Sequence, residues 1–233
     1  MQPKAIFFDV GNTLLFPNRE HILSALNGHA AHPSLEQWQA IERATKRSFD
    51  DMMEHGGAVD HGFWYMFYTS LLKELNVKND AVRDALVENT RLSANWCVIR
   101  PGTRDTLQRL AQKYAIAVIS NADGKIEAVL GRCGIADCFH SITDSGLVGY
   151  EKPHPAIFQA AVSAMQVRPE HCLYVGDVYS VDYLGATAAG MQAVLFDVAG
   201  AYRDKGLPRV ESLEELENHL TKEGADIRRG KRQ

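Results

Sequence analysis

The sequence predicts an α/β fold in which a parallel sheet carries helices on both faces and a helical module is inserted after the first strand. Short β-rich runs alternate along most of the chain with helical patterns, which is typical of a parallel sheet. One long segment near the N-terminus breaks this alternation, because it is rich in helix formers and aromatic residues. At 233 residues the chain is long enough to bury a substantial apolar core.

Four short β-rich runs each end in a polar or glycine residue and are predicted strands: residues 5–9, 115–120, 172–177 and 192–197. Apolar residues at helical spacing predict helices at about residues 103–114, 125–130, 155–165 and 212–220. The last of these begins with Ser212 and Glu215 at the spacing of a capping box. A parallel sheet built this way brings the carboxyl ends of its strands to one edge.

Residues 16–93 do not continue the alternation, and we interpret them as an inserted helical module on a core formed by residues 1–15 and 94–233. Because the insertion follows the first strand, it should lie over the carboxyl edge of the sheet, where open α/β folds bind ligands. The aromatic cluster of the insertion is interpreted as its packing core: Trp64, Tyr65, Phe67 and Tyr68.

The composition narrows the range of partners. A net charge of −4 and an isoelectric point near 6.1 give no basic surface for nucleic acid, which leaves small solutes as the expected substrates. The first apolar run is cut short by Asp9, so we expect no signal peptide, and the longest apolar clusters, such as residues 63–68, are too short for a membrane span. The four cysteines form no CxxC pair and predict reduced thiols in a cytoplasmic protein. The oligomeric state stays open.

Polar residues follow the first two predicted strands. Asp9 ends the first predicted strand and is followed by Gly11 and Thr13. An aspartate at a strand end more often caps a turn than carries chemistry, so Asp9 alone predicts little. The second strand ends in Ser120 and Asn121, whose hydroxyl and amide groups can donate hydrogen bonds to a phosphoryl oxygen.

Two later clusters supply charge. Lys152 stands just before a helix that begins at a proline, and its ammonium group could offset negative charge on a transferred group. Asp177 ends the third predicted strand and Asp182 follows five positions later, a pair of carboxylates suited to a hard cation such as Mg²⁺. These clusters form one site only if their loops converge around a common divalent ion.

In their order and spacing the four clusters resemble the haloacid dehalogenase-like hydrolase superfamily, and the likeness covers the core. The resemblance implies a Rossmann-like parallel sheet with an α-helical cap of the subclass I type. It also implies hydrolysis of a small phosphorylated metabolite with Mg²⁺ as the cofactor. By this resemblance Asp9 is the catalytic nucleophile that forms an aspartyl phosphate, and Lys152 steadies the charge. Ser120 and Asn121 would hold the phosphoryl group.

The metal ligands are also implied by the resemblance. Asp9, the backbone carbonyl of Gly11 and Asp177 would bind Mg²⁺, while Asp182 would bind it through water or orient Lys152. Physical chemistry agrees with these roles, because an aspartate carboxylate is ionised at pH 7 and needs no base to act as a nucleophile. Phosphoryl transfer further requires fixed positive charge around the transferred group.

Gly11 departs from the family pattern, because phosphatases of this family usually carry there a second aspartate that serves as general acid and base. Losing such a group typically costs about 10²- to 10⁴-fold in rate, so we expect weak or specialised turnover. A substitute acid could come from the cap, where His55, Asp60 and His61 are the candidates. Restoring the carboxylate with Gly11→Asp is then predicted to raise turnover of a generic ester.

The motif that contains Lys152 is altered too, with His154 where an aspartate is common in the family.

Two alternatives to a weak phosphatase stay open. Carbon–phosphorus bond cleavage, as in the similar phosphonatase branch, uses a cap lysine as a Schiff base, and Lys46 is the candidate. Alternatively, the protein binds a metabolite or a partner without catalysis. The dehalogenase branch lacks the metal motif, so Asp177 and Asp182 argue against carbon–halogen chemistry.

Overall fold

The computed structural model describes residues 3–56 and 62–230 and confirms the predicted α/β class. The strands are β1 (Ala5–Phe8), β2 (Leu15–Pro17), β3 (Trp96–Ile99), β4 (Ala115–Ser120), β5 (Ser141–Asp144), β6 (Cys172–Gly176), β7 (Gln192–Phe196) and β8 (Arg209–Val210). The helices are α1 (Arg19–Ile22), α2 (Leu35–Glu54), α3 (Gly62–Glu74), α4 (Asp80–Arg91), α5 (Thr103–Ala111), α6 (Ile126–Arg132), α7 (Ser145–Val148), α8 (Pro155–Ala164), α9 (Leu184–Ala188) and α10 (Leu213–Gly230).

The central sheet is parallel throughout and has the spatial order β5-β4-β1-β6-β7-β8. Successive side chains of a strand point to opposite faces, so Ile6 and Phe8 of β1 pack into one apolar layer and Ala5 and Phe7 into the other. Helices α5, α6 and α10 cover the first layer, and α8 and α9 cover the second. Strand β1 is therefore buried on both faces, which explains its continuous apolar sequence.

The four predicted strands are β1, β4, β6 and β7, and three of them end one residue earlier than predicted. Asp9, Asp177 and Asp197 consequently stand just beyond the strand ends rather than inside the strands. The sequence did not indicate the two edge strands, β5 and β8, which are short and lack a clear alternating pattern. Ser212 caps α10 by accepting from the Glu215 N–H, but the Glu215 side chain accepts from the Glu211 N–H, one residue before the expected cap.

Helices α1 to α4 lie within the inserted segment and pack on one another around a separate apolar cluster that includes Trp38 and Leu71. Helix α2 begins with a capping box between Ser34 and Gln37. Phe67 and Tyr68 are buried in this cluster as predicted, whereas Tyr65 is 47% exposed on the surface. No helix in the described part of the chain is long and apolar enough to span a bilayer.

A short antiparallel pair connects the inserted segment to the sheet. Strand β2 leaves the core and β3 returns to it, and the two pair with Leu15 opposite Ile99 and Phe16 opposite Val98. The chain therefore enters and leaves the helical segment side by side. Sequence patterns did not indicate this pair, because strands of three and four residues are too short to display a period of two.

Candidate active site

Asp9 lies at the carboxyl edge of the sheet, immediately beyond β1, and is only 7% exposed. The N–H groups of Leu14 and Leu15 both donate to the carbonyl of Val10, so the chain turns sharply after Asp9. The Thr13 hydroxyl donates to Oδ2 of Asp9 over 3.4 Å. The strand and the turn together hold the carboxylate in the crevice where parallel sheets bind ligands.

Lys152 links the acidic groups of the site. Its buried Nζ lies 2.6 Å from Oδ1 of Asp9, 2.7 Å from Oδ1 of Asp182 and 2.8 Å from the hydroxyl of Tyr174. These three acceptors match the three N–H donors of an ammonium group. The Asn121 side chain fixes the Lys152 backbone, because its Oδ1 accepts from the Lys152 N–H (2.7 Å) and its Nδ2 donates to the Lys152 carbonyl (3.0 Å).

Asp177 and Asp182 join Asp9 in an acidic cluster in which one carboxylate oxygen from each residue lies within 4.8 Å of the others. Asp182 belongs to the π-helical turn Tyr179–Tyr183, and its Oδ2 accepts from the Val178 N–H at 2.9 Å. A Cβ atom added at Gly176 would lie 2.5 Å from Cγ of Asp182. Glycine is thus required at the end of β6 for this carboxylate to approach.

Burial raises the pKa of Asp9 to about 7, and repulsion from Asp182 and Asp177 adds to the shift although Lys152 opposes it. Burial likewise raises the pKa of Asp177 to about 6, against the opposing charge of Lys46. Burial by itself would lower the pKa of Lys152, but the Asp182 and Asp9 carboxylates overcome it and raise that pKa. The ammonium group of Lys152 therefore stays charged.

A second buried lysine reaches the site from helix α2. Nζ of Lys46 lies 2.7 Å from Oδ2 of Asp177 and 3.1 Å from Oε1 of Glu42. Burial opposes the charge of Lys46, but Asp177 and Glu42 outweigh it and raise the pKa well above the usual lysine value. Lys46 is therefore an ammonium group, which lacks the free electron pair that a Schiff-base nucleophile needs.

The donor set of the cluster fits a divalent cation. When fully ionised, the three carboxylates of the cluster and that of Glu42, which pairs with Lys46, face only two ammonium groups and leave two excess negative charges: Asp9, Asp177, Asp182 and Glu42 against Lys46 and Lys152. Hard carboxylate oxygens are the ligands that Mg²⁺ prefers, and Mg²⁺ carries the charge that the cluster lacks. The part played by the Gly11 carbonyl stays a prediction.

The loop after β4 is organised by the neighbouring edge strand. Oδ1 of Asp144 accepts from the Gly124 N–H at 3.0 Å and Oδ2 accepts from the Ile126 N–H at 3.1 Å. The Ser145 hydroxyl accepts from the Ala122 N–H at 2.9 Å. These contacts fix the chain that follows Ser120, which is 3% exposed. Asp144 lies in an edge strand that the sequence pattern did not indicate, so this support was missed.

A cavity of about 400 Å³ opens at this edge of the sheet and brings together every site residue that the sequence predicted: Asp9, Gly11, Ser120, Asn121, Lys152, Asp177 and Asp182. Aromatic side chains line it as well, among them Trp64 and Trp96. Trp64 was interpreted as part of the packing core of the insertion, and it proves to contribute to the cavity wall too.

The residues considered as substitute acids and the altered position of the lysine motif are not all part of the cavity. His55 is an exposed residue at the end of α2, outside the set of described residues that line the cavity, and its ring nitrogen Nδ1 lies 2.7 Å from the Asp51 carbonyl. Asp60 and His61 lie outside the described residues. His154 caps α8 through its Nδ1, which accepts from the Ala156 N–H at 3.2 Å. This histidine thus caps the helix as an aspartate could do there.

Tyr174 is a site residue to which sequence reasoning assigned no role. Its hydroxyl accepts from Lys152 and donates to Oδ1 of Asp182 at 3.0 Å. The only sequence signal is a phenol in a strand that is otherwise aliphatic, because a buried tyrosine hydroxyl needs a polar partner.

Comparison with known proteins places the chain in a family. The model of the haloacid dehalogenase-like hydrolase family matches residues 3–190. Haloacid dehalogenase-like hydrolase domain-containing protein 3 of Mus musculus is 36% identical over 213 residues, which cover 86% of this chain and 84% of that protein. The glyceraldehyde 3-phosphate phosphatase of Methanothermobacter thermautotrophicus is 31% identical over 230 residues, or 96% of this chain and 93% of that enzyme.

A solved structure agrees in fold. The crystal structure of the Bacillus subtilis protein YfnB bound to magnesium superposes with a TM-score of 0.69 at 19% identity. The match covers 94% of this chain and 99% of YfnB. From the family model and the curated relatives together, this chain belongs to the haloacid dehalogenase-like hydrolase family.

Proposed function

We propose that this chain is a phosphatase that hydrolyses a small phosphate monoester through an aspartyl phosphate on Asp9. The observation that carries the proposal is the convergence of Asp9, Lys152, Asp177 and Asp182 in one buried cluster, although they come from three separate segments of the chain. The relative from Methanothermobacter thermautotrophicus, a glyceraldehyde 3-phosphate phosphatase, supports the reaction class.

The reaction would proceed in two displacements. A carboxylate oxygen of Asp9 attacks the phosphorus atom, and the ester P–O bond breaks with its electron pair going to the leaving group. Water then attacks the phosphorus of the aspartyl phosphate, and the P–O bond to Asp9 breaks with its electron pair returning to the carboxylate; one proton of the water passes to solvent, inorganic phosphate is released and Asp9 is restored. The charge of Lys152 offsets the negative charge that gathers on the phosphoryl oxygens, and the Ser120 hydroxyl is available as a hydrogen-bond donor to one of them.

Mg²⁺ would be held by Asp9, Asp177 and the Gly11 carbonyl, and when bound it would reduce the repulsion between Asp9 and the phosphate dianion. Asp182 would chiefly orient Lys152, since its Oδ1 lies 2.7 Å from Nζ and its Oδ2 is held by the Val178 N–H. Asn121 would act as a positioning residue, because its amide already binds both polar backbone groups of Lys152.

We further propose that residues 16–93 form the cap of this enzyme and residues 1–15 and 94–233 its core. Phe49 and Trp64 of the inserted segment line the same cavity as Asp9, which supports a role for this segment in shaping the substrate site. The four cysteines are free thiols, and this supports our proposal that the enzyme works in the cytoplasm, where thiols stay reduced.

The test is phosphate release by the purified protein from a panel of small phosphate esters, with Mg²⁺ and with a chelator. Asp9→Asn should lower kcat about 10³-fold or more while the circular dichroism spectrum is unchanged. Asp204→Asn removes an exposed carboxylate and serves as the control, which should keep its activity. If no ester releases phosphate, the result contradicts the proposal and favours the alternative of a protein that binds a metabolite or a partner without catalysis.

A further inference from the structure

Four aromatic side chains form a continuous wall along the cavity. Neighbouring ring centroids lie 5.6 Å apart for Phe49 and Phe63, 4.9 Å apart for Phe63 and Trp64, and 5.6 Å apart for Trp64 and Trp96. All four line the space that Asp9 and Lys152 also line. We call the set Phe49, Phe63, Trp64 and Trp96 the aromatic wall.

Trp96, at one end of the aromatic wall, lies beside Gly11, the position where phosphatases of the family usually carry an aspartate. A Cβ atom at Gly11 would lie 3.3 Å from Cζ3 of Trp96 and 3.6 Å from its Cε3. The indole is fixed in this place, because its Nε1 donates to the Thr90 carbonyl at 2.8 Å. An aromatic ring thus borders the space that a side chain at position 11 would occupy. Gly11 itself supplies no proton donor there.

An active site without a general acid favours substrates whose leaving group departs without receiving a proton. An alkoxide is strongly basic and must receive a proton as it departs, so its esters depend most on a general acid. A phenolate is far less basic, with a pKa of about 10 for its conjugate acid, and departs without one. A flat ring attached to the phosphate would also contact the aromatic side chains that line the cavity.

We propose that the cavity takes the phosphate ester of a small aromatic hydroxyl compound, and that this substrate class offsets the missing acid at Gly11. The proposal rests on the proposed function, because it uses Asp9 as the nucleophile. It narrows that function from small phosphate esters in general to aryl phosphates, unlike the triose phosphate named for a relative.

The test compares phenyl phosphate with glycerol 2-phosphate and glyceraldehyde 3-phosphate, and adds a series of substituted phenyl phosphates. We expect kcat/KM for phenyl phosphate to exceed that for the alkyl esters by about 10²-fold or more, the factor that a general acid usually supplies. Within the phenyl series, kcat/KM should fall steeply as the pKa of the leaving phenol rises. Equal rates on alkyl esters, or a flat dependence on that pKa, would overturn the proposal.

Two variants separate recognition by the wall from the intrinsic reactivity of aryl esters. Trp64→Leu should raise KM for phenyl phosphate about 3- to 10-fold, the loss expected for one aromatic contact, and raise KM for glycerol 2-phosphate by a smaller factor. Tyr65→Leu is the matched control on the same helix, because Tyr65 is exposed and lies beneath the guanidinium of Arg83 instead of in the cavity. Equal effects of Trp64→Leu on both substrates would refute recognition by the wall.

Asp123 and Glu151 also line the cavity and are tested as alternative acids. Asp123→Asn and Glu151→Gln should not lower the ratio of alkyl to aryl turnover; a selective loss on alkyl esters would identify a general acid and contradict the proposal. Failure of the proposed function gives a different result, namely no Asp9-dependent hydrolysis of any ester. Asp9-dependent hydrolysis that favours alkyl esters would refute the assignment of aryl phosphates and leave the proposed phosphatase function intact.

Discussion

The ammonium nitrogen of Lys46, in helix α2, lies 2.7 Å from Oδ2 of Asp177 at the carboxyl edge of the sheet. Glu42, one turn earlier in the same helix, lies 3.1 Å from that nitrogen. Lys46 is 1% exposed, so the contact is buried between the inserted segment and the core. Removing one partner of such a buried contact is costly, because the charge that remains stays buried without compensation.

Lys46→Met should therefore destabilise the protein when no divalent ion is present. The change leaves Asp177 and Glu42 without their buried partner, and we expect the free energy of unfolding to fall by about 3–5 kcal/mol. Mg²⁺ should restore part of the loss, because it would supply positive charge to Asp177. The measurement is urea unfolding with a chelator and with saturating Mg²⁺.

Arg47→Met provides the matched control for this variant. Arg47 is the next residue of α2, but its ion pair with Asp204 is largely exposed and should contribute at most about 1 kcal/mol. Similar losses in the two variants would mean that the Lys46 contact has no special part in joining the helical segment to the sheet edge.

The protonated state of Lys46 argues against cleavage of a carbon–phosphorus bond through a Schiff base. Because Asp177 and Glu42 keep Lys46 protonated, we expect no imine with phosphonoacetaldehyde at neutral pH. Borohydride reduction followed by mass spectrometry of peptides should find no adduct at Lys46. An adduct at that residue would instead support a phosphonatase reaction.

The position of Trp96 changes the expectation for Gly11→Asp. The new side chain would meet the indole ring 3.3 Å from Cβ, so the single substitution should leave turnover of glycerol 2-phosphate unchanged or lower. Gly11→Asp combined with Trp96→Ala makes room for the carboxyl group and should raise that turnover relative to Trp96→Ala alone. Steady-state kinetics of the two single variants and the double variant test this expectation. A higher turnover with Gly11→Asp alone would contradict it and show that the indole ring of Trp96 shifts to accommodate the new side chain.

The pKa of Asp9, raised to about 7, predicts how stability depends on pH without a divalent ion. The unfolded chain loses this proton near pH 3.8, whereas the folded protein keeps it up to about pH 7. Between these values the folded state binds more protons, so the contribution of Asp9 to the free energy of unfolding falls as pH rises. Above the folded pKa the contribution is fully lost.

Asp9→Asn removes the titrating group and should flatten this fall between about pH 4 and 7, as measured by urea unfolding in a chelator. Stabilisation of the unmodified protein by Mg²⁺ should grow over the same range, since the ion binds the deprotonated carboxylates. An identical pH dependence in the two proteins would assign the effect to other groups.

Sequence reasoning worked well where local physics decides the structure. Residues 5–8 are apolar without interruption, which predicts a strand buried on both faces, and β1 lies at the centre of the sheet. The short strands β2, β3 and β8 were missed, because pairing with distant residues and not local pattern creates them. For the same reason the loop contacts of Asp144 could not be seen in the sequence.

By itself, the sequence determined the α/β class, which follows from hydrophobic periodicity, and its four polar clusters resembled a known family closely enough to predict residues that line the cavity. Only the tertiary structure decided what surrounds those residues. Lys46 against Asp177, Trp96 against Gly11 and Tyr174 against Lys152 are contacts between residues far apart in the chain. Their energies come from burial and charge pairing, which exist only in the folded structure: Lys46 meets Asp177 where the helical segment packs on the sheet, and the other two contacts form within the core.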